Sequence, residues 1–362
     1  MHLQNMKTAL FAGAIILFSQ AALTAQIEKG VTTLGGAASF ESGKSSSSSN
    51  YNILNFSPSY GRFITDKIMI KGKLDVSTVQ TDKDNYSYIN YDFTPEVRYY
   101  FNPQSTWKFF AGASVGLRTL RLSNAIRTPK KFTNHDFHKS FYVGLNKFLN
   151  KEIAIEGTLG VNHSNLLMAE DPRLSINART NVYTTGLNLS INHFTNFKTS
   201  EADFKDLVSK GRTVIAGNLS LNRYSGAMPD LNDLTKSISR KGNYATLNAE
   251  YGKFVTNGLL IGTKTNIILS DNYKLLGITP YAQYFYPVSK KLMLHAKAEL
   301  DYNITKYDNY GTFKVGIGAT YFLSKNVALN FDVLNFNKNF GSNFSSNNKY
   351  LSSNIGLRFF LK

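Results

Sequence analysis

Two short segments hold residue types that do chemistry when brought close. Asn134-His135-Asp136-Phe137-His138 sets two imidazoles beside a carboxylate, and Asn162-His163-Ser164-Asn165 sets an imidazole next to a hydroxyl. A metal centre needs further converging ligands with a defined geometry, and no His-Glu-x-x-His pattern supplies them. The expected role of the first segment is a solvated one. In the second, strand alternation sends His163 and Ser164 to opposite faces, so the imidazole cannot take the hydroxyl proton. No third group orients them, and the acidic-pair-plus-histidine layout of rim proteases is missing. The chain therefore reads as a non-enzyme, with no catalytic residue, cofactor or metal.

A second set of candidates is ionic. Lys71, Lys73, Glu96, Arg98, Lys264, Lys297, Glu299 and Arg358 lie on the inward side of runs of period two. Such runs predict strands with one greasy face and one polar face. If the polar faces line a lumen, these eight residues set ion preference, and their cationic excess favours anions. The other reading is a salt-bridge lattice. A third group, Arg121, Arg127, Lys130, Lys131 and Lys139, lies in a stretch read as a long basic loop over residues 121–139. Its charge suits the phosphates of a glycolipid.

The elements that must position these residues are short alternating ribbons. In the last stretch Ile355, Leu357, Phe359 and Leu361 share one face, while Asn354, Gly356, Arg358 and Phe360 share the other. A soluble sheet hides or blunts such an edge. A barrel in an outer membrane closes it against the first strand and turns it to lipid. Residues 183–194 match residues 351–362 without a gap, setting Leu187, Leu189 and Ile191 against Ile355, Leu357 and Phe359. Other landmarks recur in the same order. Tyr60-Gly61-Arg62-Phe63 returns as Tyr251-Gly252-Lys253-Phe254, Thr94-Pro95 as Thr279-Pro280, and Phe141-Tyr142-Val143-Gly144 as Phe313-Lys314-Val315-Gly316. This is an internal duplication with a period too long for a solenoid.

Composition narrows the class. The chain has 362 residues, and beyond its N-terminus no apolar run is long enough for a membrane helix. Lys7, the apolar run 9–18 and the small residues up to Ala25 read as a secretory signal over residues 1–25. With no cysteine there is no disulfide framework and no thiolate chemistry. A net charge of +17 would suggest nucleic acid in a cytosolic protein. Export removes that partner and leaves lipid and glycolipid phosphates.

The Thr-Pro strands, the Tyr-Gly-basic-Phe turn entries and the closing Gly356-Leu357-Arg358-Phe359-Phe360 resemble the OmpX/OmpW-like outer-membrane β-barrel domain of Bacteroidetes, present as two diverged tandem copies. The resemblance implies location in the outer membrane of a Gram-negative bacterium. It also implies insertion by the barrel-assembly machinery through the C-terminal strand. The expected organisation is a signal at 1–25, a first repeat at 26–194, a periplasmic linker at 195–210 with a short helix, and a second repeat at 211–362. The expected fold is all-β, a transmembrane antiparallel barrel of about sixteen strands from two eight-stranded repeats; the alternative is two tandem eight-stranded barrels. Small inward residues such as Ser39, Asn55, Ser57, Asn218, Ser220, Asn222, Thr246 and Asn248 favour the wide form. The expected function is passive diffusion of small solutes with weak anion preference, and the alternative is a non-conducting structural or surface-interaction barrel.

Overall fold

The computed structural model describes residues 27–44, 50–81, 86–105, 107–124, 128–167, 179–195, 204–229, 237–271, 273–305, 309–340 and 349–361. Residues 1–25, read as a signal, lie outside the described residues, as does Arg127.

Alternation in the sequence becomes one antiparallel sheet. The first half comprises β1 (Thr32–Gly35), β2 (Ala37–Lys44), β3 (Asn50–Phe56), β4 (Ser59–Phe63) and β5 (Ile68–Thr81). It continues through β6 (Tyr86–Tyr100), β7 (Trp107–Asn124), β8 (Thr128–Phe148), β9 (Ile153–Leu167) and β10 (Arg179–Thr195). A one-turn helix, α1 (Phe204–Leu207), leads into the second half. This begins with β11 (Thr213–Pro229), β12 (Ser237–Thr256), β13 (Leu259–Ser270) and β14 (Lys274–Pro287). It ends with β15 (Leu292–Thr305), β16 (Asn309–Ser324), β17 (Val327–Phe340) and β18 (Lys349–Leu361). β1 and β2 are one strand interrupted at Gly36, and β3 and β4 one strand interrupted at Ser57–Pro58, so sixteen strands form the barrel wall.

The barrel closes differently at its two ends. Toward the loop end, Tyr350 to Gly356 of β18 pair with β2, and Val182 to Ser190 of β10 pair with β11, making a single ring. Toward the turn end the partners change. His193 to Thr195 of β10 pair with β1, and β1 pairs with β4, closing β1, β4 and β5 through β10 on themselves. Thr213 to Ile215 of β11 pair with Phe359 to Leu361, closing β11 through β18. One wide barrel therefore stands on two eight-stranded legs. Gly36 (φ 119°) and Gly217 (φ 142°) mark the fork, at equal places in the two halves. A side chain at either would meet backbone, of Ser57 or of Asn248, besides requiring a left-handed conformation.

The leg bases are built alike. Phe63 N–H donates to Val31 O at 2.8 Å, and Phe254 N–H to Arg212 O at 2.9 Å. Phe194 N–H donates to Glu152 O, and Phe360 N–H to Asn326 O, both at 2.7 Å. The last pair corrects the ungapped match of the two closing strands. Phe194 is the counterpart of Phe360, so the true alignment is shifted by two residues. A shift of two keeps every side chain on its face, which is why the sequence pattern hid it.

Each leg is filled by side chains. The first holds Ile27, Val31, Phe63, Met69, Tyr100, Phe110, Phe148, Ala154 and Phe194, none more than 5% exposed. The second holds Val214, Phe254, Leu260, Tyr281, Phe285, Met293, Phe322, Ala328 and Phe360, closed from below by Leu207 and Val208. Leu207 ends the one-turn helix of the expected linker and Val208 follows it. Arg212 ties that turn down, donating to Asp206 O at 3.0 Å, Leu207 O at 2.9 Å and Lys325 O at 2.6 Å. Burial lowers its proton affinity, and Asp206 partly offsets this. Between the legs Ile153, Val327 and Phe359 form a third apolar cluster. Ser324 Oγ donates to Glu152 Oε2 across it at 2.5 Å.

The outer wall is the apolar one. Leu117 (65%), Phe141 (61%) and Ile317 (59%) are exposed, with Phe93, Val97, Val143 and Leu159 beside them. Exposed aromatics collect at both ends, Tyr99, Phe109, Tyr284 and Tyr286 at the turn end and Tyr91, Phe137, Tyr183 and Tyr302 at the loop end. An apolar band between aromatic girdles is the exterior of a transmembrane barrel.

Candidate functional site

The eight predicted lumen residues all face inward, and all but Lys73 fall into two separate networks. In the first leg Arg98 is ion-paired to Glu96 and, at 2.5 Å, to Glu156. Its guanidinium lies 4.7 Å from the Phe110 ring centre and 5.6 Å from that of Tyr142. Lys71 joins this group electrostatically. Lys73 stands apart, half exposed, with Asp75 at 2.8 Å. In the second leg Lys297 reaches Asp332 at 2.7 Å and Glu299 at 3.2 Å, and Lys264 pairs with Glu299. Arg358 pairs with Glu250 at 2.8 Å and donates to Gln283 Oε1 at 2.5 Å. His295 Nε2 lies 3.0 Å from Asp332.

Glu156, Glu250 and Asp332, the partners that complete these networks, were not singled out from sequence. Their signal is there: Glu156 alternates with Ile153 and Ile155, and Asp332 lies between Phe331 and Val333. Alternation assigns the face of a residue. Only the ring brings Arg98 across to Glu156.

Above the second network lies a cavity of about 560 Å³. Its floor is the fork, with Ala38, Ser39, Gly217, Ile355 and Gly356, and its walls carry Asn248, Asn266, Asn303, Asn330 and Asn335. Its charged residues are Lys264, Lys297, Lys314 and Arg358 against Glu250, Glu299, Asp301 and Asp332, four of each sign. All are engaged, Lys314 with Asp301. The first leg is roofed at the corresponding height by Tyr142. Counting from Phe148 and Phe322, the matching residue in the second leg is Gly316, not the Lys314 that the sequence landmark set against Tyr142, and its open face is covered by the Asn335 carboxamide.

The other candidates fall elsewhere. The predicted basic loop is a strand hairpin: β7 runs to Asn124 and β8 starts at Thr128, with Arg121 opposite Thr133 and Ser123 opposite Lys131. Cross-strand pairing satisfies the backbone here; Arg121 stands beyond Leu117 toward the loop end, whereas Lys139 lies between Phe137 and Phe141, opposite Val115. Arg121 and Lys139 are exposed, in the outward row that includes Leu117 and Phe141; Lys130 lies on the same strand, β8. His163 and Ser164 face oppositely, as alternation requires. His163 packs on Tyr183 with ring centres 4.8 Å apart, whereas Ser164 Oγ donates to Asp136 at 2.5 Å. His138 turns inward to Thr94, 3.2 Å away, and His135 lies 3.1 Å from Thr119 Oγ1. The two histidines of that segment thus bond to different strands. Among the described residues no group of His, Asp and Glu has a metal-holding arrangement.

Fold and wall chemistry together define a transmembrane antiparallel β-barrel with a polar interior, wide at the loop end. No family model matches the chain, and no curated protein matches it. Solved structures similar to it include CdiB from Acinetobacter baumannii (9% identity, TM-score 0.46), covering 92% of this chain and 60% of that one. CdiB from Escherichia coli is 12% identical with a TM-score of 0.42, covering 91% and 63%. The translocator domain of autotransporter NalP from Neisseria meningitidis is 9% identical with a TM-score of 0.30, covering 99% and 95%. The chain thus spans about 60% of the length of the first of these.

Proposed function

We propose that this protein is an outer-membrane barrel that does not conduct, presenting a polar vestibule to the outside above two sealed legs. One observation carries the reading: both legs are filled with side chains that are almost wholly buried. An eight-stranded ring leaves an interior just wide enough for side chains to fill. The passive pore expected from sequence is the weaker reading, because the wide ring ends at the fork. Its anion preference is weaker still, since the cationic residues expected to favour anions have acidic partners.

Planar-bilayer recordings of the refolded chain test this. The wild type should be silent, while Tyr100→Ala with Phe110→Ala should open the first leg and give steps. Steady, large, anion-carried steps from the wild type would restore the pore.

The short turns and the fork face the periplasm in this proposal, and the long connections face outward. Export by the 1–25 signal, insertion through β18 and descent of the halves from a duplicated OmpX/OmpW-like unit belong to it. Gly30 and Gly211, both at φ 91°, support the last point. The lipid partner follows from the outer wall. Arg121 and Lys139 stand beside the apolar band, and Arg223 heads a groove of about 460 Å³ lined by Leu159, Leu187, Leu221 and Leu269. Cations above leucines suit a phosphorylated glycolipid.

A further inference from the structure

We infer that the cavity over the second leg is a binding site for a neutral, polyhydroxylated small molecule of the sugar class. The inference deepens the sealed-vestibule reading and rests on it, since a sealed floor makes the cavity an end point and not a passage.

Charge sets the class of ligand. The chain carries +17, yet the eight charged residues of the cavity sum to zero and each has a partner. An anion entering would have to draw Lys264 from Glu299 or Lys314 from Asp301. A cation would have to do the reverse. Separating either pair strips a largely sheltered carboxylate, Glu299 or Asp301, of a close cation, which a single new contact does not repay. A neutral guest leaves every pair intact.

The remaining wall chemistry sets what such a guest must offer. Asn248, Asn266, Asn303 and Asn354 each bring a carboxamide that both donates and accepts, and Ser57, Thr265, Thr279 and Ser352 bring hydroxyls, whereas Asn330 is held by Thr320, Arg358 and Asp332. Vicinal hydroxyls are the neutral groups that match such a surface, because each also donates and accepts. Asn335, 2% exposed, donates from Nδ2 to Ser352 O at 3.1 Å and lays its Oδ1 against Gly316, so it shapes the wall without offering a free group. The volume, about 560 Å³, lies in the range of small-molecule sites, though its lining is far more polar than most.

Among the described residues the first leg offers no such lining at this height. In the first, Tyr142, Phe110 and the stacked Arg98 fill the space at the same height. The first leg is filled up to this height, whereas the filling of the second stops below it.

The test is calorimetric titration of the refolded full chain with sucrose and maltose as neutral probes and sucrose 6-phosphate as the anionic counterpart. A neutral sugar should bind saturably, at least tenfold tighter than the phosphate. Asn248→Leu with Asn266→Leu should weaken it tenfold or more, leaving the ion pairs and the heat-modifiable gel shift unchanged. Binding of neither sugar up to tens of millimolar, tighter binding of the phosphate, or indifference to the double variant would each overturn the inference. Conductance separates the two claims: a silent wild type without sugar binding overturns the site alone, whereas a conducting one overturns the sealed vestibule.

Discussion

Replacing Arg98 with alanine removes the one cation that holds the first leg's network together. Glu156, with 7% of its side chain exposed, has Arg98 as its ion-pair partner, and Glu96 keeps Lys71 and Tyr142. Breaking a buried pair by deleting one partner costs about 3–5 kcal/mol, against about 0–1 for an exposed pair. The two pairs share one guanidinium, so their losses do not add. Loss of the stack on Phe110 contributes about 1 kcal/mol more. The expected destabilisation is about 5 kcal/mol. The chain has a single tryptophan, Trp107, at the base of the same leg beside Lys147. Its fluorescence during urea unfolding in detergent reports this leg directly. Arg98→Ala with Glu156→Leu should recover much of the loss, because an apolar pair leaves no charge stranded. A change below about 1 kcal/mol for Arg98→Ala would refute the argument, since it would put the network in water.

Gly36→Val and Gly217→Val should each cost about 1–3 kcal/mol from backbone conformation alone, with the clash on Ser57 or Asn248 added. The check is the yield of the compact, heat-modifiable form, which Gly356→Ala, with open space at its Cβ, should leave unchanged. Glu152→Ala removes the clasp to Ser324 and should lower stability by only about 1 kcal/mol in urea unfolding, as the apolar seam between the legs remains. Changing Arg121, Lys139 and Arg223 together to glutamine should reduce retention on immobilised lipopolysaccharide and flatten its salt dependence; unchanged retention would remove the glycolipid partner.

Much of this molecule is written in alternation. The outward row of Phe93, Val97 and Tyr99 and the inward row of Glu96, Arg98 and Tyr100 follow from the period of a strand, as do the opposed His163 and Ser164. So do the inward placements of Lys264, Lys297, Glu299 and Arg358. The basic segment 121–139 misled because Lys, Asn and Pro are poor strand residues, while partner strands and the barrel rim override that preference.

What the residues in order could not decide is closure. Whether β10 lies beside β11 or beside β1 depends on strands far apart in the chain, and the molecule uses both, changing partner below Ser190. The two readings open from sequence, one barrel or two, are both realised at different heights. The salt-bridge partners and the cavity are consequences of that fork. Side-chain direction is a local property that each strand carries alone, whereas ring closure sets which strands face one another, and that is settled only when all sixteen have paired.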